Sequence, residues 1–274
     1  MKRTHSMLRR LVGLGLALGL LLALPGVAYA QDNAQRDTTD QVTDHETDRP
    51  DREEVIRKAK ARALEAIERR LSTLDRLADV VSHNRNVTAE HKRQLTADYE
   101  AAASGLRGLA AEIEAADTLA EVLRLSGLIV TDYRVYLVVV PKSHEVVASD
   151  TMVAIAGRFG EMSEKLQKAI NRAHEAGFDV TEAQRWLDIA AEEIAAAERK
   201  AGPVAGNVIG LQASDWPDPA QGQLREGREM LRSAGTDLRE ARLALQESLQ
   251  ALRQAIGSDR PSDRVAGEAA PTDG

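Results

Sequence analysis

The residues that could do chemistry in this chain are few, and their spacing excludes most reactions. The histidines that follow the first thirty residues are His45, His83, His91, His144 and His174. A di-metal carboxylate bundle needs Glu-x-x-His on facing helices, because positions i and i+3 then point inward together. Here Asn171 stands three before His174, and Pro141 three before His144. His144-Glu145 and His174-Glu175 open like a zinc-protease motif, but the second ligand position holds Ala148 and Phe178. His83 and His91 flank a turn and are the one pair left for a weak metal contact; otherwise the histidines read as solvated or capping groups. No metal site and no cofactor is expected. The sequence has no Gly-x-Ser-x-Gly elbow and no Ser-x-x-Lys, and after residue 30 no phosphate-binding Gly-rich loop with its Lys. The absence of Cys excludes a thiol nucleophile, an Fe–S cluster, a thiolate zinc site and a disulfide framework. Carboxylates are abundant, but pairs such as Glu192-Glu193 and Arg239-Glu240 fall beside Ile194 and Leu238 as the solvated faces of helices do. No catalytic residue is assigned.

Three groups of residues point instead to binding. Residues 133–142, Tyr-Arg-Val-Tyr-Leu-Val-Val-Val-Pro-Lys, hold two of the four tyrosines and a β-branched run. Pro141 cannot donate to a helix and disfavours a helical Val140, so the chain kinks here or crosses in a short extended piece. One reading is a buried corner whose tyrosines pack the end of the core. The other is a partner-docking patch with Tyr133, Arg134 and Tyr136 as contacts, since aromatic residues and Arg dominate interface energetics. Trp216, ahead of Pro217 and Pro219, reads as a staple folded back on the bundle end or as an exposed anchor. Arg57, Lys58, Lys60, Arg62, Arg69 and Arg70 form a basic stretch diluted by Glu65 and Glu68. In an exported protein it offers a weak contact for anionic wall polymer or lipid headgroups, or simply a solvated face.

The elements that must position these residues are helices. Ile56, Ala59, Ala63, Ile67, Leu71, Leu74, Ala78 and Val81 recur at steps of three or four, which predicts a helix over 53–82 with Asp51 as N-cap. A second helix follows Thr88, with Leu95, Tyr99, Ala102, Leu106, Leu109, Ile113 and Ala116 at coiled-coil spacing. Ser104, Gly105 and Gly108 interrupt it, and a close approach by another helix is the usual compensation for glycine there. Thr118 with Glu121, and Thr181 with Gln184, read as capping boxes. A long helix after Pro141 carries Met152, Ile155, Phe159, Met162, Leu166, Ile170 and Ala173 and should end at Gly177. The next carries Ala183, Leu187, Ala190, Ile194 and Ala197, and Gly202-Pro203 should stop it. A loop then runs to Pro219, before a last helix with Leu224, Leu231, Ala234, Leu238, Ala241, Leu245, Leu249, Leu252 and Ile256. The fold class is all-α: an elongated, up-and-down antiparallel bundle of four to five long helices with coiled-coil-like packing.

The ends differ from this middle. Lys2, Arg3, Arg9 and Arg10, an apolar run over 11–24, then Pro25-Gly26 and Ala28-Tyr29-Ala30 make a cleaved export signal over 1–30. Cleavage near Ala30 leaves 244 of 274 residues and takes the formal net charge from −7 to −11, since four basic residues and no acids are lost. Residues 31–51 read as a disordered acidic leader, 52–257 as the helical domain and 258–274 as a disordered tail. A net acidic chain is a poor nucleic-acid binder, because phosphate contacts need a concentrated basic surface. With 43% apolar residues but only 3% aromatics, the core must be Ala, Leu, Val and Ile, which suits close-packed helices.

The export signal, the Tyr133-Arg134-Val135-Tyr136 segment ending in Pro141, and Trp216-Pro217 before an Arg/Leu/Ala-rich helix resemble exported bacterial helical-bundle proteins over roughly residues 95–256. That resemblance implies no activity and carries no site residues. The function expected is that of a secreted or envelope-associated, non-enzymatic structural and interaction protein, with a protein partner or self-association. The alternatives are a carrier of a small apolar ligand in a cleft marked by Gly105 and Gly108, and an enzyme on an unrecognised motif.

Overall fold

The structure is a computed structural model that describes residues 51–258. The export signal, most of the acidic leader with His45, and all but the first residue of the tail lie outside the described residues. Six α-helices follow in order: α1 (Arg52–His83), α2 (Ala89–Ala115), α3 (Leu119–Thr131), α4 (Val140–Glu175), α5 (Thr181–Ile209) and α6 (Ala220–Ser258). A π-helical turn (Val135–Val139) leads into α4, and a single 3-10 turn (Ala213–Asp215) lies between α5 and α6. No strand occurs among the described residues. The protein is therefore an all-α bundle of five long helices and the shorter α3.

Local signals start and stop most of these helices. The Asp51 carboxylate accepts from Glu53 N at 3.3 Å, Thr88 Oγ1 from His91 N at 3.1 Å, and Thr118 Oγ1 from Glu121 N at 3.2 Å. Each satisfies an amide that the first helical turn leaves without a partner. Gly177, at φ 89°, closes α4. Phe178 N donates to Ala173 O and Gly177 N to His174 O, the two bonds of a Schellman motif.

Burial follows the apolar stripes and divides them into three clusters. Ile67, Leu74, Leu95, Leu106, Ile113, Leu125 and Val138 centre the first, which unites α1, α2, α3 and the π turn with Val208 and Leu224. Ala156, Ala201, Val204, Ala234 and Leu238 centre the second, and Ile170, Leu187, Ala190 and Leu245 the third; both lie among α4, α5 and α6. At roughly 25 cal/mol per Å², burial of such stripes is the main force holding the helices together. The first turns of α4 lie where these two groups of helices meet.

Two expectations fail at α5. Gly202-Pro203 does not end the helix: it runs on to Ile209 with Pro203 inside it. Pro203 removes the hydrogen bond to Arg199 O, and its ring crowds that carbonyl and opens the turn. The hydroxyl of Ser149 on α4 enters the opening. Ser149 Oγ donates to Ala201 O at 2.8 Å and accepts from Ala205 N at 3.3 Å, bridging the pair that an undisturbed helix would join directly. The capping box at Thr181 also fails. Val180 is the N-cap, the Asp179 carboxylate accepts from Thr181 N at 3.1 Å, and Gln184 pairs with Gln167 of α4 and with Asp188.

Candidate functional site

The Tyr133–Pro141 segment takes neither a plain kink nor an extended form. Arg134 adopts a left-handed conformation at φ 39°, ψ 39°, rare for a residue with a Cβ. The chain then winds into the π turn, in which Val140 N donates to Val135 O, five residues back. Pro141 follows directly at the start of α4, where it has no N–H to continue the ladder of the π turn. Left-handed residues and π turns both concentrate at functional sites.

The structure sends the two tyrosines of this corner in different directions. Tyr133 is half-buried, its ring over Gly105 of α2; a Cβ there would stand 2.5 Å from Cε1 and 2.6 Å from the hydroxyl. Gly105 thus admits a side chain rather than a helix backbone. Arg134 is half-buried and its Nε makes no hydrogen bond. Tyr136 is 46% exposed, with the Arg70 guanidinium 5.0 Å from its ring centroid. Its hydroxyl donates to Arg69 O at 3.4 Å and lies 3.4 Å from Thr73 Oγ1. Leu137 beside it is also exposed. Trp216 is half-buried and packs on the first cluster, as a staple does.

The basic stretch of α1 is largely engaged by neighbours. Arg57 and Lys58 pair with Glu54, Arg69 pairs with Glu65, Lys60 donates to Glu114 O, and Arg70 donates to Ala66 O. His83 turns to Asp79 on its own helix, while His91 Nδ1 lies 2.8 Å from the Asp150 carboxylate of α4. The two histidines are therefore not joined, and no metal-binding cluster of three or more such groups occurs among the described residues. Glu192 is exposed and Glu193 half-buried. Partial desolvation and the nearby Glu240 and Asp237 carboxylates raise the Glu193 carboxyl above its usual range.

The largest departure from the sequence reading is a polar seam at the start of α4. Five of the seven buried polar side chains among the described residues lie here: Lys142, Ser143, Glu145, Ser149 and Asp150. Such residues read as a solvated face, and the missing apolar stripe before Met152 was the only signal that this turn is special. The seam ties α4 to three neighbours. Lys142 Nζ, 2% exposed, donates to Asp98 of α2 at 2.6 Å and to Leu211 O at 2.8 Å. Asp150 accepts from Thr88 N at 2.9 Å and from His91, holding the start of α2. Ser149 bridges the open turn of α5. Ser143 donates to Val139 O; the adjacent Tyr99 hydroxyl makes no well-formed hydrogen bond, and burial pushes that phenol up to about 12.

Glu145 is the exception in the seam. It is 3% exposed, and neither carboxylate oxygen accepts a hydrogen bond. Arg228 Nε of α6 approaches to 3.3 Å without hydrogen-bond geometry. The carboxyl lies against Gly227, where a Cβ would collide with Glu145 Oε2 and stand 3.1 Å from Val204 Cγ1 of α5. Burial pushes its proton affinity up to about 7, and Arg228 only partly offsets this.

The chain has no significant match among family models, curated proteins or solved structures.

Proposed function

We propose that the chain is an exported, non-enzymatic interaction protein: a helical-bundle scaffold that presents the corner between α3 and α4 to a protein partner at the cell envelope or outside the cell. The observation that carries this reading is Tyr136. Its ring is held by Arg70 and by its own hydroxyl, yet nearly half of it meets solvent, with exposed Leu137 beside it. An aromatic fixed in place loses little conformational entropy on binding, which is what makes such residues effective anchors. Tyr133 and Arg134 then act as the mount that sets the turn. A protein partner is favoured over wall polymer or lipid headgroups because most of the α1 cations already have partners. The carrier reading loses its cleft at Gly105, which the Tyr133 ring fills.

The test is crosslinking capture from the envelope extract of the source organism. Wild-type protein should retain a specific partner that Tyr136→Ala with Leu137→Ser loses, while both proteins melt within about 3 °C of each other. Equal capture by both proteins refutes the corner as the docking surface.

A further inference from the structure

The seam contains a carboxyl with no hydrogen bond, a helix broken by proline and mended by a foreign hydroxyl, and a glycine notch, all at one level of the bundle. Glu145 and Ser149 are one turn apart on α4, so they share a face. Ser149 holds the turn of α5 that Pro203 opened, and the Glu145 carboxyl lies in the notch at Gly227 of α6, which Val204 of that same turn also borders. We infer that the crossing of α4 with α5 and α6 at Pro203 is a proton-controlled hinge, closed while the Glu145 carboxyl is neutral and loosened when it ionises. This inference stands apart from the partner reading and uses none of the corner residues.

The physical case is one of desolvation. A neutral carboxyl can rest in the notch at Gly227 with a modest loss. A carboxylate there has lost its water and gained no hydrogen bond in return. Its facing charges are few. On α6 it meets Arg228, half-exposed and unable to hydrogen-bond it from its present position, whereas Arg225, Glu226 and Glu229 are exposed. From α5, Val204 borders the same notch. On α4 itself, Lys142 and Asp150 are committed to Asp98 and His91 of α2. His144, next in sequence, is exposed, and desolvation lowers its imidazole below the usual value. Ionised Glu145 gains by moving outward with Arg228, and the nearest element that can yield is α5 at the turn that already lacks its own ladder bond.

The test is amide hydrogen exchange on the full chain, corrected for the intrinsic pH dependence, at about pH 5 and about pH 7.5, with Glu145→Gln as the neutral reference. Protection over residues 199–209 and 222–232 should fall roughly tenfold more in wild type than in Glu145→Gln between these conditions. His144 titrates in both proteins and so cancels. An equal response in both overturns the hinge. A second measurement does not depend on the Gln variant folding: the side-chain carboxyl of Glu145 followed by carbon NMR in wild type and in Arg228→Gln. Its midpoint should lie well above the ordinary value of 4.5 and rise further when the cation is removed. A midpoint near 4.5, or one indifferent to Arg228, overturns it equally.

Discussion

At the scale of single residues, the bundle is specified by what glycine makes possible and by charges taken out of water. Gly105 is required by the Tyr133 ring rather than by a turn. Gly105→Ala should displace that ring and cost about 1–3 kcal/mol, read in urea unfolding with a change in near-UV tyrosine dichroism. The control is Gly108→Ala, where a Cβ meets nothing within 4 Å; it should be neutral or stabilising by up to about 1 kcal/mol. Lys142 is a sharper case. Lys142→Ala strands Asp98, which retains some solvent contact, so a loss of about 2–3 kcal/mol is expected, short of the full cost of a wholly buried orphan charge. Lys142→Met with Asp98→Leu should recover most of it, because the pair is replaced rather than broken. If the double variant is no more stable than the single, the seam's charges are held by something other than each other.

At the scale of elements, legibility in the sequence divides by how local the cause is. The start of α1 at Asp51, the start of α2 at Thr88 and the end of α4 at Gly177 follow from residues within a turn of the event, and all three stand where expected. The stripes of α1 and α2 name their buried residues because each faces one cluster; the stripe of α6 does so while running past all three. The continuation of α5 past Pro203 was not legible, since its cause is a hydroxyl on α4 more than fifty positions away. The polar seam was not legible either, because Lys142, Ser143, Glu145, Ser149 and Asp150 are the types a solvated helix face uses. Only the packing of helices on several sides of α4 makes them interior. The corner's exposed aromatic, Tyr136, was among the residues singled out, but nothing in Tyr-Arg-Val-Tyr told that Tyr133 would turn inward. The α5 splint makes its own prediction. Ser149→Ala leaves Ala201 O and Ala205 N without their bridge and should cost about 1–3 kcal/mol. In a Pro203→Ala background the helix can close its own ladder, so the same substitution should cost much less. Purely additive stabilities would refute the splint.

At the scale of the whole described bundle, α5 and α6 reach the first cluster through their ends at Val208 and Leu224, whereas α4 carries the polar seam between the two groups, and that seam should govern cooperativity. The two tryptophans report the two groups separately: Trp216 packs on the first cluster and Trp186 on the third. With Trp186→Phe and Trp216→Phe as single-tryptophan versions, denaturation followed by fluorescence should give one shared midpoint. Adding Lys142→Met and Asp150→Asn should separate the two curves; coincident curves would show that apolar packing alone couples the groups. The pH dependence follows from Glu145. Its folded-state value, about 7, lies above the ordinary 4.5. Its contribution to stability is therefore fully present below about pH 4.5 and lost as pH rises through about 7. The wild-type melting temperature should fall between about pH 5.5 and 7.5 by a few degrees more than that of Glu145→Gln.

The bridge from Ser149 into α5 also has a consequence for descent. A proline at position 203 costs less in a chain that already carries a hydroxyl at position 149, and losing that hydroxyl costs more while the proline stays. Sequences that share this fold should therefore show the two positions changing together, with no proline at 203 wherever 149 is apolar.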